Sequence, residues 1–525
     1  MEQQKQKICS NIDVLGEDVV HKILEKLPAL SCGSAACVSR LWNRIITSRI
    51  LSVPKLLSAL SLNSSLQDAV REVFEKVLSE PIRPQFAIAS VGPDFDLKQA
   101  HKLITERLDS QIPVITSASD GILGREALTS KFREIQWDAT EDNDDDSTDS
   151  VKKRGIVLTV GYLPGLRASL VPLQGKKELP ELLMDRFVMD ICEWSSSVSN
   201  SSSPAGVILF TDYDTDMKPV LAKMEYALCK ETVVVGDGGG QFLYQSDKKS
   251  NSSQSSEFYV ACVALLFAND QNTPPGLGKT QFHLMLSAGV SPIGPVYKAA
   301  SVNDRKNDNS TWITARRGSS LENLDGQTIL EEIHREIGEP IIYPALYIGV
   351  TKRRKCSVGT RKARWLTFHE FHEVLSGDEE YLYVHDKGIK TGDSFCFYIS
   401  NIDVARSTCR SVSDNFRSLK QCHDRDFVQD NIDRCNKKHV FGGILFSCCG
   451  RGEQFFGESN VDSLPFLENF PEVPLAGTFS AGEIGRANMS VYGKESLEEM
   501  SIPCLFHVFS SVYLVMSYTP PVTQQ

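Results

Sequence analysis

No apolar run in this chain is long enough to cross a membrane as a helix. The longest, Phe258 to Ala268, stops far short of the roughly 20 residues a spanning helix needs. The stretch from Met1 to Asn11 is polar and lacks the apolar core of a secretory leader, so no export signal is expected. Cysteine is sparse for the length, 14 in 525 residues, which excludes a disulfide framework and points to buried, reduced thiols. The Asn-X-Ser/Thr sites at Asn200 and Asn309 are then expected to stay unglycosylated. Positive charge is in deficit. The 56 Lys and Arg face 67 Asp and Glu, and a net charge of −11 argues against a general or direct nucleic-acid surface. No leucine-rich, kelch or WD-type period is present. These absences leave an intracellular chain of roughly three domains, in the nucleus and/or cytoplasm, with no membrane contact.

The first 46 residues stand apart from the rest. Asn11 to Asp18 opens a helix with acidic residues, and Val19, Val20, Ile23, Leu24 and Leu27 recur at helical spacing until Pro28 stops it. A second apolar set follows: Ala35, Val38, Leu41, Trp42, Ile45 and Ile46. Two short helices bury little core by themselves, so their apolar face is expected to be covered by a partner.

Leu15 to Pro28 followed by Ala36-Cys37-Val38-Ser39-Arg40-Leu41-Trp42 resembles the F-box, with Gly16 where that family usually has a first Pro. The resemblance implies docking on a Skp-type adaptor and, through it, on the cullin and RING protein of a ubiquitin ligase. It implies Leu15, Val19, Val20, Ile23, Leu24, Leu27, Pro28, Val38, Leu41 and Trp42 as the adaptor-binding residues. A Leu24→Asp change is then expected to abolish adaptor binding and leave the body folded.

Beyond it, Ser52 to Leu78 reads as a helical linker ended by Pro81 and Pro84. Four polar tracts, 138–149, 195–203, 246–257 and 303–310, read as surface loops. Between them one unit recurs three times: apolar strand, helix, and a second strand ending in small residues. The strand pairs are Phe86–Val91 with Ile112–Ala118, Gly206–Thr211 with Thr232–Gly240, and Gly443–Cys448 with Val473–Phe479. Such crossover units imply strands buried on both faces, with ligand-binding loops at their C-terminal ends.

Phe441 to Gly452, with its Ser-Cys-x-Gly-Arg-Gly turn, and Val473 to Gly485, with its Gly-Glu-Ile-Gly ending, resemble the C-terminal half of the FIST module. Pro84 to Phe242 is more loosely similar to its N-terminal half. The expected fold is α+β or α/β: a small all-helical F-box at 10–55, a helical linker at 56–83, and a two-part FIST-like body at 84–300 and 301–518. Repeated β-α-β units around mixed sheets would build that body.

Several residue groups are candidates for chemistry. Arg451 between two glycines could grip a carboxylate, or pair with Glu483 and lock two turns. Cys448 and Cys449 near Arg451 could carry a lowered pKa, although a buried thiol is commoner. With Gly450, Gly452, Gly477, Gly482 and Gly485 these form the candidate substrate- or ligand-recognition set. The basic run Lys352, Arg353, Arg354 and Lys355 could be an import signal, a grip on an acidic substrate, or a solvated hairpin. Thr273 to Thr280 mimics a phosphate-binding loop, but Thr273 stands where the first Gly belongs and a strand-like stretch follows. Cys422, His423, Cys435 and His439 lack the close pair of a zinc site, so no metal and no cofactor is expected. The resulting expectation is a non-catalytic substrate receptor of a ubiquitin ligase with an unknown protein substrate. The alternative is a sensor of amino-acid-like small molecules.

Overall fold

The computed structural model describes residues 16–137, 153–175, 179–245, 259–305, 309–318, 322–338, 344–421, 438–492 and 499–521. It has an α+β architecture: a helical unit at the N-terminus and a β-rich body of mixed sheets.

The N-terminal unit has three short α-helices, not two: Glu17–Leu24, Ala29–Ala36 and Arg40–Ile45, the last continued by a π turn over Ile46–Ile50. Ser39 divides the second apolar set. It sits in extended conformation and its hydroxyl accepts from the Trp42 N–H at 3.2 Å, which starts a new helix.

The stretch read as a helical linker is part of the body. Lys55–Ser61 is a strand, and only Leu66–Val77 is a helix. That helix buries Ala69, Val70, Val73, Phe74 and Val77 against Ala87, Ala89, Leu158 and Val160 of the sheet beneath it. The strand pairs antiparallel with Ile156–Tyr162 along its full length.

Among the described residues, three sheets and a barrel make up the body. The first sheet runs Lys55–Ser61, Ile156–Tyr162, Phe86–Val91, Val114–Ala118, Phe242–Gln245. The second runs Glu499–His507, Glu483–Tyr492, Val233–Asp237, Gly206–Thr211, Val260–Asn269, Leu166–Gln174. The third runs Lys279–Ser287, Ser511–Thr519, His439–Cys448, Leu475–Ser480, Gly121–Arg125, Phe132–Gln136. Three parallel pairs lie within them: Phe86–Val91 with Val114–Ala118, Gly206–Thr211 with Val233–Asp237, and His439–Cys448 with Leu475–Ser480.

One core joins all three sheets. Phe86 and Ile115 of the first, Phe210 and Phe267 of the second, and Phe446 and Leu514 of the third are buried together. Edge-on ring contacts span the sheets, Phe86 to Phe267 at 5.0 Å and Phe210 to Phe446 at 6.1 Å.

The closed barrel was not anticipated. Its strands are Val290–Asp304, Ser310–Arg317, Leu382–His385, Arg364–Gly377, Leu346–Cys356 and Ser394–Ser400. Helix Gly326–Ile337 contributes Ile329 and Ile333 to its core beside Tyr297, Phe395 and Phe397. Lys279–Ser287, after the loop that mimics a phosphate-binding motif, is a strand. No described helix is long and apolar enough to cross a membrane.

Candidate functional site

The helical unit divides its apolar residues between an inside and an outside. Val20 and Leu24 are 1% and 0% exposed and form its core with Cys32, Ala35, Ile45, Ile46 and Ile50. Leu27, Leu41 and Trp42 are half-buried against that core. Val19, Ile23, Leu30 and Val38 are 45%, 40%, 81% and 63% exposed, and Pro28 is exposed as well. Leu15 lies outside the described residues.

This corrects the expectation of one apolar face. Val19 with Ile23 and Val20 with Leu24 are adjacent i, i+4 ridges on one short helix, and only the second turns inward. Leu30 was not singled out from the sequence, yet it is the most exposed large apolar side chain described. The first helix is clamped at its start: Glu17 pairs with Arg44, and Asp18 with Arg49 at 2.9 Å. Two backbone carbonyl contacts hold the unit to the body. The Ala29 N–H donates to the Leu78 carbonyl at 2.9 Å, and the Tyr162 hydroxyl to the Leu51 carbonyl at 2.8 Å.

The second candidate cluster lies where the three parallel pairs end. The Gly238 N–H donates to the Gly482 carbonyl at 2.7 Å, and the Asp120 N–H to the Phe479 carbonyl at 3.3 Å. The Gly240 N–H reaches the Thr211 carbonyl at 3.0 Å, and the Cys449 N–H the Ser480 carbonyl at 2.8 Å. The ends therefore meet, and they close on each other.

Arg451 is 1% exposed and does not pair with Glu483. Its partner is Asp462, which accepts from Nη2 at 2.6 Å and from Nε at 3.0 Å. Nη1 donates to the Phe509 carbonyl at 2.9 Å and Nη2 to the Ser287 hydroxyl at 3.1 Å. Asp462 also accepts from the Ser447 hydroxyl at 3.0 Å. Burial disfavours the guanidinium charge, but Asp462 outweighs it and holds the pKa above the ordinary Arg value. The residue expected to grip a ligand or Glu483 thus ties the third sheet to the loop after it.

Glu483 is fully buried; its Oε2 accepts from the Ser510 N–H at 3.1 Å and hydroxyl at 2.7 Å. Burial, reinforced by Cys448, pushes its carboxyl well above the usual range. Asp237, opposite Glu483 in strand register, is raised to about 8, mainly by burial.

Of the two readings of the thiols, the buried one holds for Cys448. Cys448 is 7% exposed, and its pKa is pushed up by the hydrogen bond with Cys449 and by burial, the reverse of activation. The glycines admit protein, not ligand. A Cβ on Gly477 would lie 2.0 Å from the Leu445 carbonyl oxygen, and one on Gly482, at φ 132°, 2.6 Å from the Phe506 ring. At Gly450, Gly452 and Gly485 it would meet Phe509, Gln136 and Val512. A cleft of about 420 Å³ opens elsewhere, between Ser52, Val53 and Pro54 on one side and Phe441, Tyr518 and Pro520 on the other.

Residues 12–53 match the F-box domain family. Over 97% of its length the chain is 41% identical to an F-box/LRR-repeat protein of Arabidopsis thaliana, covering 94% of that protein. This chain belongs to the F-box proteins. A 78-residue stretch of this F-box protein is 35% identical to human F-box only protein 22, covering 14% of the chain and 19% of that relative. A 44-residue stretch is 48% identical to an uncharacterized protein of Mycobacterium tuberculosis, 8% of the chain and 12% of that relative. The Arabidopsis protein carries leucine-rich repeats in its name. The described residues of this chain form mixed sheets and a closed barrel, unlike a stacked repeat.

The basic run of the F-box protein lies on the strand Leu346–Cys356, and strand alternation splits it. Lys352 is buried, and Arg354 is half-buried in a two-bond pair with Glu370, at 2.6 and 2.8 Å. Arg353 and Lys355 are exposed. Burial opposes ionisation of Glu370, but Arg354 and Lys352 outweigh it and hold its pKa at about 2. The four cations are therefore not presented together, as a linear import signal requires. Cys422, His423 and Cys435 of the rejected zinc set lie outside the described residues, and no group of metal-holding side chains occurs among the described ones. Asp462, Ser287 and Glu134 went unnoticed in the sequence. Glu134 accepts from the backbone N–H groups of Asn460 and Ser463, at 2.9 and 3.0 Å, beside Asp462.

Proposed function

We propose that this F-box protein is the substrate-recognition subunit of a Skp–cullin–F-box ubiquitin ligase, acting in the nucleus or cytoplasm. It has no catalytic role of its own, and the β-rich body is a FIST-type module that holds the target for ubiquitination and degradation. The observation that carries the reading is the set of exposed apolar side chains on the helical unit. The unit is fixed to the body through Ala29 and Leu51, while Val19, Ile23, Leu30 and Val38 stay uncovered. An apolar surface of that kind, on a unit built around its own core, fits an adaptor helix. Holding the target near the charged conjugating enzyme accelerates transfer by proximity.

The test is affinity purification of the full chain beside a Leu30→Asp, Val38→Asp variant. Adaptor and cullin should accompany the wild type and be lost from the variant. Equal recovery with both would rule the surface out. Leu24→Asp does not serve, because Leu24 is core and its loss unfolds the unit.

The sensor reading ranks second. Its support is the meeting of three strand ends around Asp237 and Glu483, two carboxyls whose pKa burial raises. Against it, Arg451 is consumed by Asp462 and offers no anchor to a ligand carboxylate. Thermal shift against amino acids and organic acids tests it: a bound ligand raises the transition, and a flat panel removes the reading.

A further inference from the structure

Towards its turn the hairpin of Leu346–Cys356 and Arg364–Gly377 has one face in the core and one in solvent; nearer its base both faces are covered, with His369 and Phe371 buried on the face that carries Trp365. Cys356 and Phe368 are buried, with Leu366 half-buried, against helices Glu181–Ser199 and Lys218–Ala227. Lys352 and Arg354 alternate with the outer residues and are taken up by Glu370. The outer face presents Arg353, Lys355 and Trp365. Lys355 is directly opposite Trp365 in register, and the Arg353 guanidinium lies 5.5 Å from the Trp365 ring centroid. Exposed Arg361 and Lys362 follow at the turn, whereas Arg364, opposite Cys356 in register, lies over the Tyr226 ring on the other side.

Two features mark this as a prepared surface. Among the described residues no carboxylate pairs with Arg353, Lys355, Arg361, Lys362 or Arg364, in a chain whose net charge is −11. Trp365 is 59% exposed beside them, although a Trp has the most to gain from burial. The surface is also stiff. Its strands pair from Tyr347–Glu373 to Cys356–Arg364, and its back is packed, so little ordering cost attends binding.

We propose that this face docks an acidic segment of a protein substrate: Asp and Glu residues for Arg353, Lys355 and the turn cations Arg361 and Lys362, with an apolar or aromatic residue against Trp365. Guanidinium groups take carboxylates in two-bond pairs, and the indole supplies the apolar contact that charge alone lacks. A protein segment fits better than a nucleic acid. Four charges at one end of a hairpin suit a short acidic run, and the field of an acidic chain opposes a long polyanion. The word substrate rests on the receptor reading above; the binding itself does not.

Fluorescence anisotropy of a labelled Glu/Asp-rich peptide with a central Phe, titrated with the full chain, tests it. The wild type should bind, and the Gln/Asn counterpart should not. Arg353→Glu with Lys355→Glu, and separately Trp365→Ala, should each weaken binding roughly tenfold or more. Reversal of the exposed Lys98 by Lys98→Glu should leave it unchanged. All these side chains are exposed, so circular dichroism should show intact folds. No binding by the wild type, equal binding by the double variant, or tighter binding of oligouridine RNA overturns the proposal. Adaptor capture by the same preparations reads the F-box alone. Capture lost with peptide binding kept would count against the ligase reading and leave this surface standing.

Discussion

At the scale of single residues, buried charge decides what the strand-end cluster does. Arg451 and Asp462 are both essentially inaccessible, so removing one leaves the other uncompensated. Asp462→Ala should cost about 3–5 kcal/mol in urea denaturation, and Arg451→Met with Asp462→Leu should recover most of that. A loss within about 1 kcal/mol of zero for the single change would mean the pair is not structural. Asp237 gives a pH signature. Its carboxyl titrates at 3.8 when exposed and at about 8 when folded, so the folded state holds the proton longer. Its contribution is fully present below about pH 4 and is lost as pH rises towards about 8. Asp237→Asn should flatten that fall in Tm, and an unchanged slope would place the linkage elsewhere. Arg451 was conspicuous in the sequence because glycines flank it. Its partner was not: Asp462 lies in an ordinary Asn-Val-Asp-Ser stretch, and no spacing rule links it to a strand end.

Among the elements, the three crossover pairs were legible because apolar strands, polar turns and helices alternate there without ambiguity. The F-box was legible by its motif, but its inner and outer ridges were not, since adjacent helical positions carry similar residues. Ser39 shows what local chemistry adds. Its hydroxyl starts the third helix, and Ser39→Ala should destabilise the unit by about 1 kcal/mol, read by chemical denaturation. No change would mean the cap is dispensable. The strand Lys55–Ser61 was missed because Leu56, Ala59 and Leu60 are buried on both faces. A strand so covered shows no alternation and reads equally as a piece of helix. The basic run failed in the opposite way: four cations in a row conceal a period of two, and only Glu370, distant in sequence, reveals which pair turns inward.

Across the whole molecule, the order of strands in space departs from their order in the chain. Gly121–Arg125 joins the third sheet beside Leu475–Ser480, and Glu483–Tyr492 joins the second beside Val233–Asp237. Each half therefore lacks neighbours that only the other supplies. Pieces 84–300 and 301–518 made separately should lack a cooperative thermal transition, and two cooperative transitions would show that the pairings are dispensable. The closed barrel escaped notice for a related reason: closure depends on partners far apart in sequence, such as Val290–Asp304 with Ser394–Ser400. The F-box sits on this interleaved body with a core of its own, and that arrangement supports the receptor reading. The decisive measurement is titration calorimetry of purified Skp-type adaptor into the full chain and into the Leu30→Asp, Val38→Asp variant. Saturable binding by the wild type, abolished in a variant of unchanged Tm, is the expected result. Equal binding by both, or none by the wild type, would contradict the assignment of the exposed helical face.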